Sequence, residues 1–179
     1  MEVAEALENY FDKLLVFWEA QYSTFPTISF EEDIENWMYI GVPDEEERVQ
    51  WEPKLKTSKE GFLSIEQEIG MKLHNSMKAY FDSYWFLSLE GFYGPHRITL
   101  EEVAPNKDIR AFFTNQKSFI ESTGEELNYF LIGYFSPDDQ ALLLDNRTGE
   151  IFKEDYETDE RMFVSSSLAA LIDSLRIME

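Results

Sequence analysis

Cysteine is absent from the 179 residues. That excludes disulfides and thiol catalysis, removes the commonest ligands of structural zinc, and agrees with a reducing cytoplasm. Histidine is nearly absent too. His74 and His96 stand alone, with no His-x-x-x-His or His–Glu pairing at metal spacing, and both read as packed or solvated side chains. Long apolar runs are missing. The longest, Tyr129 to Phe135, falls far short of the roughly 20 residues that span a bilayer. The start, Met1-Glu2-Val3-Ala4-Glu5, is acidic and amphipathic, unlike a secretory signal. The expectation is a soluble, cytoplasmic protein.

Motifs for chemistry are missing as well. There is no Gly-x-Gly-x-x-Gly, no phosphate-cradling glycine-lysine loop and no Gly-x-Ser-x-Gly elbow. The adjacent acids Glu101-Glu102, Glu125-Glu126 and Asp138-Asp139 read as turn or surface pairs. Asp145-Asn146-Arg147-Thr148-Gly149-Glu150 faintly resembles a calcium loop. Arg147 stands where an oxygen ligand belongs, so a hairpin turn is the better reading. Ser165-Ser166-Ser167 has no nearby base and reads as a helix cap. The residues therefore point to no enzyme, no cofactor and no metal.

What the chain has in excess is negative charge: 36 acidic side chains against 15 basic ones. Residues 1–52 carry 14 acids against Lys13 and Arg48, a net of −12. Residues 54–117 carry 8 acids and 9 bases, and residues 118–179 carry 14 acids and 4 bases, nets of +1 and −10. Such a field repels phosphates and anionic lipid and attracts cationic surfaces, with a decay length of about 8 Å at physiological salt. Direct nucleic-acid binding needs clustered Lys and Arg and is disfavoured. A basic protein is the favoured partner. The plain alternative is that the acidity serves solubility alone.

Periodicity outlines an α+β fold in a single domain over residues 1–179. Leu7, Phe11, Leu14, Trp18 and Tyr22 recur at helical spacing. Residues 24–60 form a structured, partly extended excursion containing Trp37 and Trp51. Ile65, Ile69, Leu73, Met77 and Phe81 step by four and predict one helix over 64–80, with Gly70 inside it at a cost of about 1 kcal/mol. Tyr84 to Leu89 reads as an aromatic strand, with a turn at Gly91, Gly94 and Pro95. Ile98 and Leu100 alternate with polar residues in the next strand. A helix over 108–122 places Ile109, Phe112, Phe113, Phe119 and Ile120 inward. Residues 129–135 are apolar on both faces, which marks a central strand. Ser136 to Asp139 turns the chain into Ala141–Leu144, and a second turn leads to Glu150–Lys153. A helix carrying Leu168, Leu171, Ile172 and Leu175 closes the chain. Such segregated elements imply a mostly antiparallel or mixed sheet flanked by helices.

The candidate binding residues are two acidic runs around an aromatic: Glu31, Glu32, Asp33 and Glu35, then Trp37, then Asp44, Glu45, Glu46 and Glu47. Aromatic anchors ringed by carboxylates suit Lys- and Arg-rich loops, through charge-assisted hydrogen bonds and cation–π contacts. The alternative is that Trp37 and Trp51 are core residues and the carboxylates a solvated rim.

Order and spacing along most of the chain resemble one family. Gly41-Val42-Pro43 is followed by Val49-Gln50-Trp51-Glu52-Pro53. The Ile65–Phe81 stripe leads into an aromatic strand, and a two-acid helix start lies at Glu101-Glu102 or Asp108. The apolar strand 129–135 precedes the Asn146-Arg147-Thr148-Gly149-Glu150 hairpin, and Ser167-Leu168-Ala169-Ala170-Leu171-Ile172-Asp173-Ser174-Leu175 ends the pattern. This resembles the Syd family, SecY-interacting proteins of bacteria, within the SUKH superfamily that includes many immunity proteins against polymorphic toxins. The resemblance implies an α+β domain with an acidic concave face and no catalytic site. It implies peripheral association with the inner face of the cell membrane, through basic cytosolic loops of SecY. An immunity-type relative would instead cap a basic toxin, often a nuclease. Asp44-Glu45-Glu46-Glu47 is more acidic than the family's pattern at that loop, which leaves the partner open between these two and carries over no individual binding residue.

Overall fold

The computed structural model describes residues 1–122, 124, 126–137, 140–155, 157, 158 and 160–177. Helix α1 (Val3–Tyr22) comes first, and Val3, Ala6, Leu7, Tyr10, Phe11 and Leu14 bury its apolar stripe. The excursion that follows is a small antiparallel sheet of β1 (Thr27–Ser29), β2 (Tyr39–Ile40) and β3 (Arg48–Trp51), with β3 in the middle. Trp51 is buried, whereas Trp37 is 44% exposed. Strand β4 (Lys54–Leu55) later pairs with β5 (Tyr84–Trp85).

The helix expected over 64–80 is two helices, α2 (Phe62–Ile69) and α3 (Asn75–Ser83). Gly70 does not sit within a helix; it ends α2 in the left-handed region at φ 73°, where a side chain would be strained. The five residues of the stripe are nonetheless all buried. Their spacing reported burial correctly and continuity wrongly. Glu66 fixes the corner between the helices. Its buried carboxylate accepts from Lys72 (2.8 Å), Lys78 (3.0 Å) and the Leu73 N–H (3.0 Å). The hydrogen bond from Lys72, with help from Lys78, lowers its pKa to about 2 against the opposing effect of burial. His74 caps α3 by accepting from the Ser76 N–H, and its own N–H donates to Asn146 in the hairpin expected at 145–150. That hairpin is built by Asp145, whose carboxylate accepts from the N–H groups of Arg147 and Thr148.

The main sheet has six antiparallel strands in the order β11-β10-β9-β8-β7-β6. They are β6 (Leu89–Tyr93), β7 (His96–Leu100), β8 (Tyr129–Ser136), β9 (Gln140–Asp145), β10 (Ile151–Glu154) and β11 (Arg161–Ser165). Gly91 lies inside β6, so the turn belongs to Gly94-Pro95, and β11 is a strand that periodicity did not indicate. Strand β8 is central as expected. Its register shifts between Leu131 and Gly133, and a Cβ on Gly133 would lie 2.2 Å from the Thr99 carbonyl oxygen. Only glycine lets β7 approach this closely. The turn expected at Ser136–Asp139 falls partly on Asp138 and Asp139, and the pair Glu125-Glu126 includes Glu125; these lie outside the described residues.

Helix α4 (Ile109–Ser122) leans on β8. Gln116 accepts from the Leu131 N–H (2.8 Å) and donates to the Leu131 carbonyl (3.1 Å), standing in for a ladder partner. Ile109 and Phe113 are buried, but Phe119, expected inward, is 68% exposed. Helix α5 (Leu168–Ser174) is capped by Ser167, which accepts from the Ala170 N–H. Rings of Phe11, Phe86, Tyr80, Phe81, Phe113 and Phe130 run through the core at centroid separations of 5.2–5.7 Å. Such contacts add to area burial, at about 0.5–1.5 kcal/mol a pair.

Candidate protein-docking surface

The small sheet gathers the two acidic runs. Strands β1 and β3 pair Ser29 with Arg48, and one step further the Phe30 N–H donates to the Glu47 carbonyl at 2.7 Å. The residues after β1 and before β3 therefore lie side by side. Tyr39 clamps the first run, its hydroxyl accepting from the Glu31 N–H and donating to the Glu31 carbonyl, both at 3.2 Å. Asp44 folds the second. Its carboxylate accepts from the N–H groups of Glu46 (2.9 Å) and Arg48 (2.8 Å), and Glu47 takes a positive φ of 58°.

Glu31, Glu32, Asp33, Glu35, Asp44, Glu45, Glu46 and Glu47 are all exposed. Among the described residues none of their carboxylates joins an ion pair. Two have structural work: Asp44 in its own turn, and Asp33, which accepts from Asn106 at 2.9 Å. The negative potential registers on neighbours. Burial first, then Glu31, Asp33 and Glu102, raise the pKa of Tyr39; the hydrogen bond and charge of Glu102 raise that of Lys107.

Trp37 stands beside these carboxylates on a short helical turn, Asn36–Met38. Its ring meets Trp85 edge-on at 6.2 Å, and Lys56 Nζ lies 3.4 Å from the Trp85 ring centroid. Lys56 is buried, bonded to Glu60 (2.7 Å) and the Phe81 carbonyl (2.9 Å). This support escaped the sequence reading because Lys56, Trp85 and Trp37 share no local motif. Among the described residues, clefts of about 320–580 Å³ that open on the surface, between α4 and the sheet and beside α1 among them, are lined by no residue between 30 and 47. The two runs form a rim and not the wall of one of those clefts. Among the described residues no group of three or more His, Asp or Glu could hold a metal ion, and no helix is long and apolar enough to cross a membrane.

These features describe an α+β protein with an exposed acidic rim whose carboxylates, among the described residues, join no ion pair. The family model "Syd protein (SUKH-2)" matches residues 4–176, and the chain belongs to that family. A Protein Syd from Idiomarina loihiensis is 25% identical over 175 residues, 95% of this chain and 93% of the relative. A Protein Syd from Psychromonas ingrahamii is 23% identical over 171 residues, 94% and 92% of the two chains.

Proposed function

We propose that residues 1–179 act as one Syd-type binding unit that grips basic cytosolic loops of the SecY channel through Glu31, Glu32, Asp33, Glu35, Trp37, Asp44, Glu45, Glu46 and Glu47. The protein works without catalysis, in the cytoplasm, and reaches the membrane only through its protein partner. The observation that supports this most is the side-by-side placement of two acidic runs whose carboxylates join no ion pair among the described residues. Desolvating them is favourable only if a partner supplies Lys or Arg. Trp37 offers a cation–π face beside them.

The test compares retention on membranes that contain SecY with retention on membranes that lack it. Retention specific to SecY, and lost at about 1 M salt, is expected. Equal retention on both membranes, or none on either, sinks the SecY reading.

A further inference from the structure

A second surface lies toward the C-terminal end of α4; Asn106 and Lys107, which precede that helix, adjoin the acidic rim instead. A cleft of about 580 Å³ opens between α4 and the outer face of the main sheet. Phe119 and Ile120 of α4 form one wall, and Leu131 and Leu143 form the floor. The strand registers place Leu131 opposite Leu143, Leu143 opposite Phe152, and Phe152 opposite Phe163. An apolar stripe thus crosses four strands from the cleft to the sheet edge at β11, with Phe152 and Phe163 rings 6.0 Å apart. Both ends of this surface face water: Phe119 is 68% exposed and Phe163 59%. Exposed apolar groups arranged this way mark interaction surfaces, whereas isolated ones do not.

Charge selects the occupant. Glu126 and Glu154 line the cleft, and exposed Glu157 and Glu160 follow on the turn into β11. Arg161, the one cation among the described residues that line the cleft, is already committed: it bonds Glu154 and lies 4.2 Å from the Tyr129 ring centroid. Glu126, Glu157 and Glu160 have no ion-pair partner among the described residues. A second copy of this chain, at a net charge of −21, would be repelled here, as would anionic lipid. We infer that the cleft between α4 and β8–β11 docks a cationic segment of a partner protein, one large apolar side chain entering between Phe119 and Leu143 while flanking Lys or Arg residues meet the carboxylates. This surface does not depend on the role proposed for residues 31–47.

The test uses isotope-labelled full-length protein titrated with three short synthetic peptides. One carries a central Leu among Lys and Arg, one has Ala at the centre, and one has Glu in place of every cation. The Leu peptide is expected to shift the amide signals of Phe119, Leu131, Leu143 and Phe163, and to bind about tenfold more tightly than the Ala peptide. Phe119→Ala with Phe163→Ala, changes at exposed positions that leave the fold intact, should bring the Leu peptide down to the Ala peptide's affinity. Glu45→Lys with Glu46→Lys should leave the cleft shifts in place, so failure here is distinguishable from failure of the acidic rim. Equal affinity for the Leu and Ala peptides on the unmodified protein overturns the inference. So do shifts confined to 31–47, equal binding of the Glu peptide, or self-association that Phe119→Ala abolishes.

Discussion

Glu66 and Glu46 carry the same carboxylate in opposite circumstances. Glu66 is buried at the α2–α3 corner and accepts from two lysines and a backbone N–H; Glu46 is exposed, with no cation. The difference separates charge neutralised within the fold from charge exposed to solvent. Most of the middle third's cations are spent internally, on Glu52, Glu60, Glu66, Glu68, Glu90, Glu102 and Glu121. The first 52 residues have almost none to spend.

A buried carboxylate that holds the fold is not dispensable. Glu66→Gln removes the negative charge between Lys72 and Lys78 and turns one of the two acceptor oxygens into an N–H donor, and should lower unfolding stability by about 2 kcal/mol in urea titrations. Binding at temperatures where the variant stays folded should be unchanged. The pH dependence sharpens the point. The folded-state pKa of Glu66 lies near 2, below its ordinary value of 4.5, so its contribution is complete above about 4.5 and lost as pH falls toward 2. The stability gap between the protein and Glu66→Gln should therefore be constant at neutral pH and close over that acid range.

On the rim the effects reverse. Trp37→Ala should raise the dissociation rate from the basic partner about tenfold, as expected of an aromatic anchor, with a change in melting temperature too small to account for it. Asp44→Ala is intermediate. It removes the acceptor for two N–H groups and should cost about 1 kcal/mol of stability, with a modest loss of binding as Glu45 and Glu46 lose their fixed placement.

Much of the fold is legible in the sequence. Helix α1 buries its stripe as far as Leu14, with Trp18 half-buried and Tyr22 exposed, the capped α5 buries the face its period defines, and β8 lies centrally but leaves Tyr134 exposed. The α2–α3 break was hidden because Ile65, Ile69, Leu73, Met77 and Phe81 keep a four-residue step across Gly70, where the chain changes direction but not the side it buries. Strand β11 was hidden because Arg161, Met162 and Phe163 are exposed on a sheet edge, so they show no alternation of burial. Phe119 sits at the margin of the α4 stripe, where period alone does not say which side faces water. At the rim, composition singled out the carboxylates and Trp37 as candidates, and the fold leaves all of them exposed. The assignments of Asp33 to Asn106 and of Lys56 beneath Trp85 needed the tertiary fold. The α4–sheet cleft has no local signature at all, since its walls come from segments with different periods.

Attraction of a cationic partner by the carboxylates at 31–47, as proposed, is read from the association rate of Glu45→Lys with Glu46→Lys on SecY-containing membranes, measured across ionic strength. A rate about tenfold below the unmodified protein at low salt, converging with it near 1 M salt while the urea midpoint stays in place, is the predicted result. Identical rates at every ionic strength would contradict it.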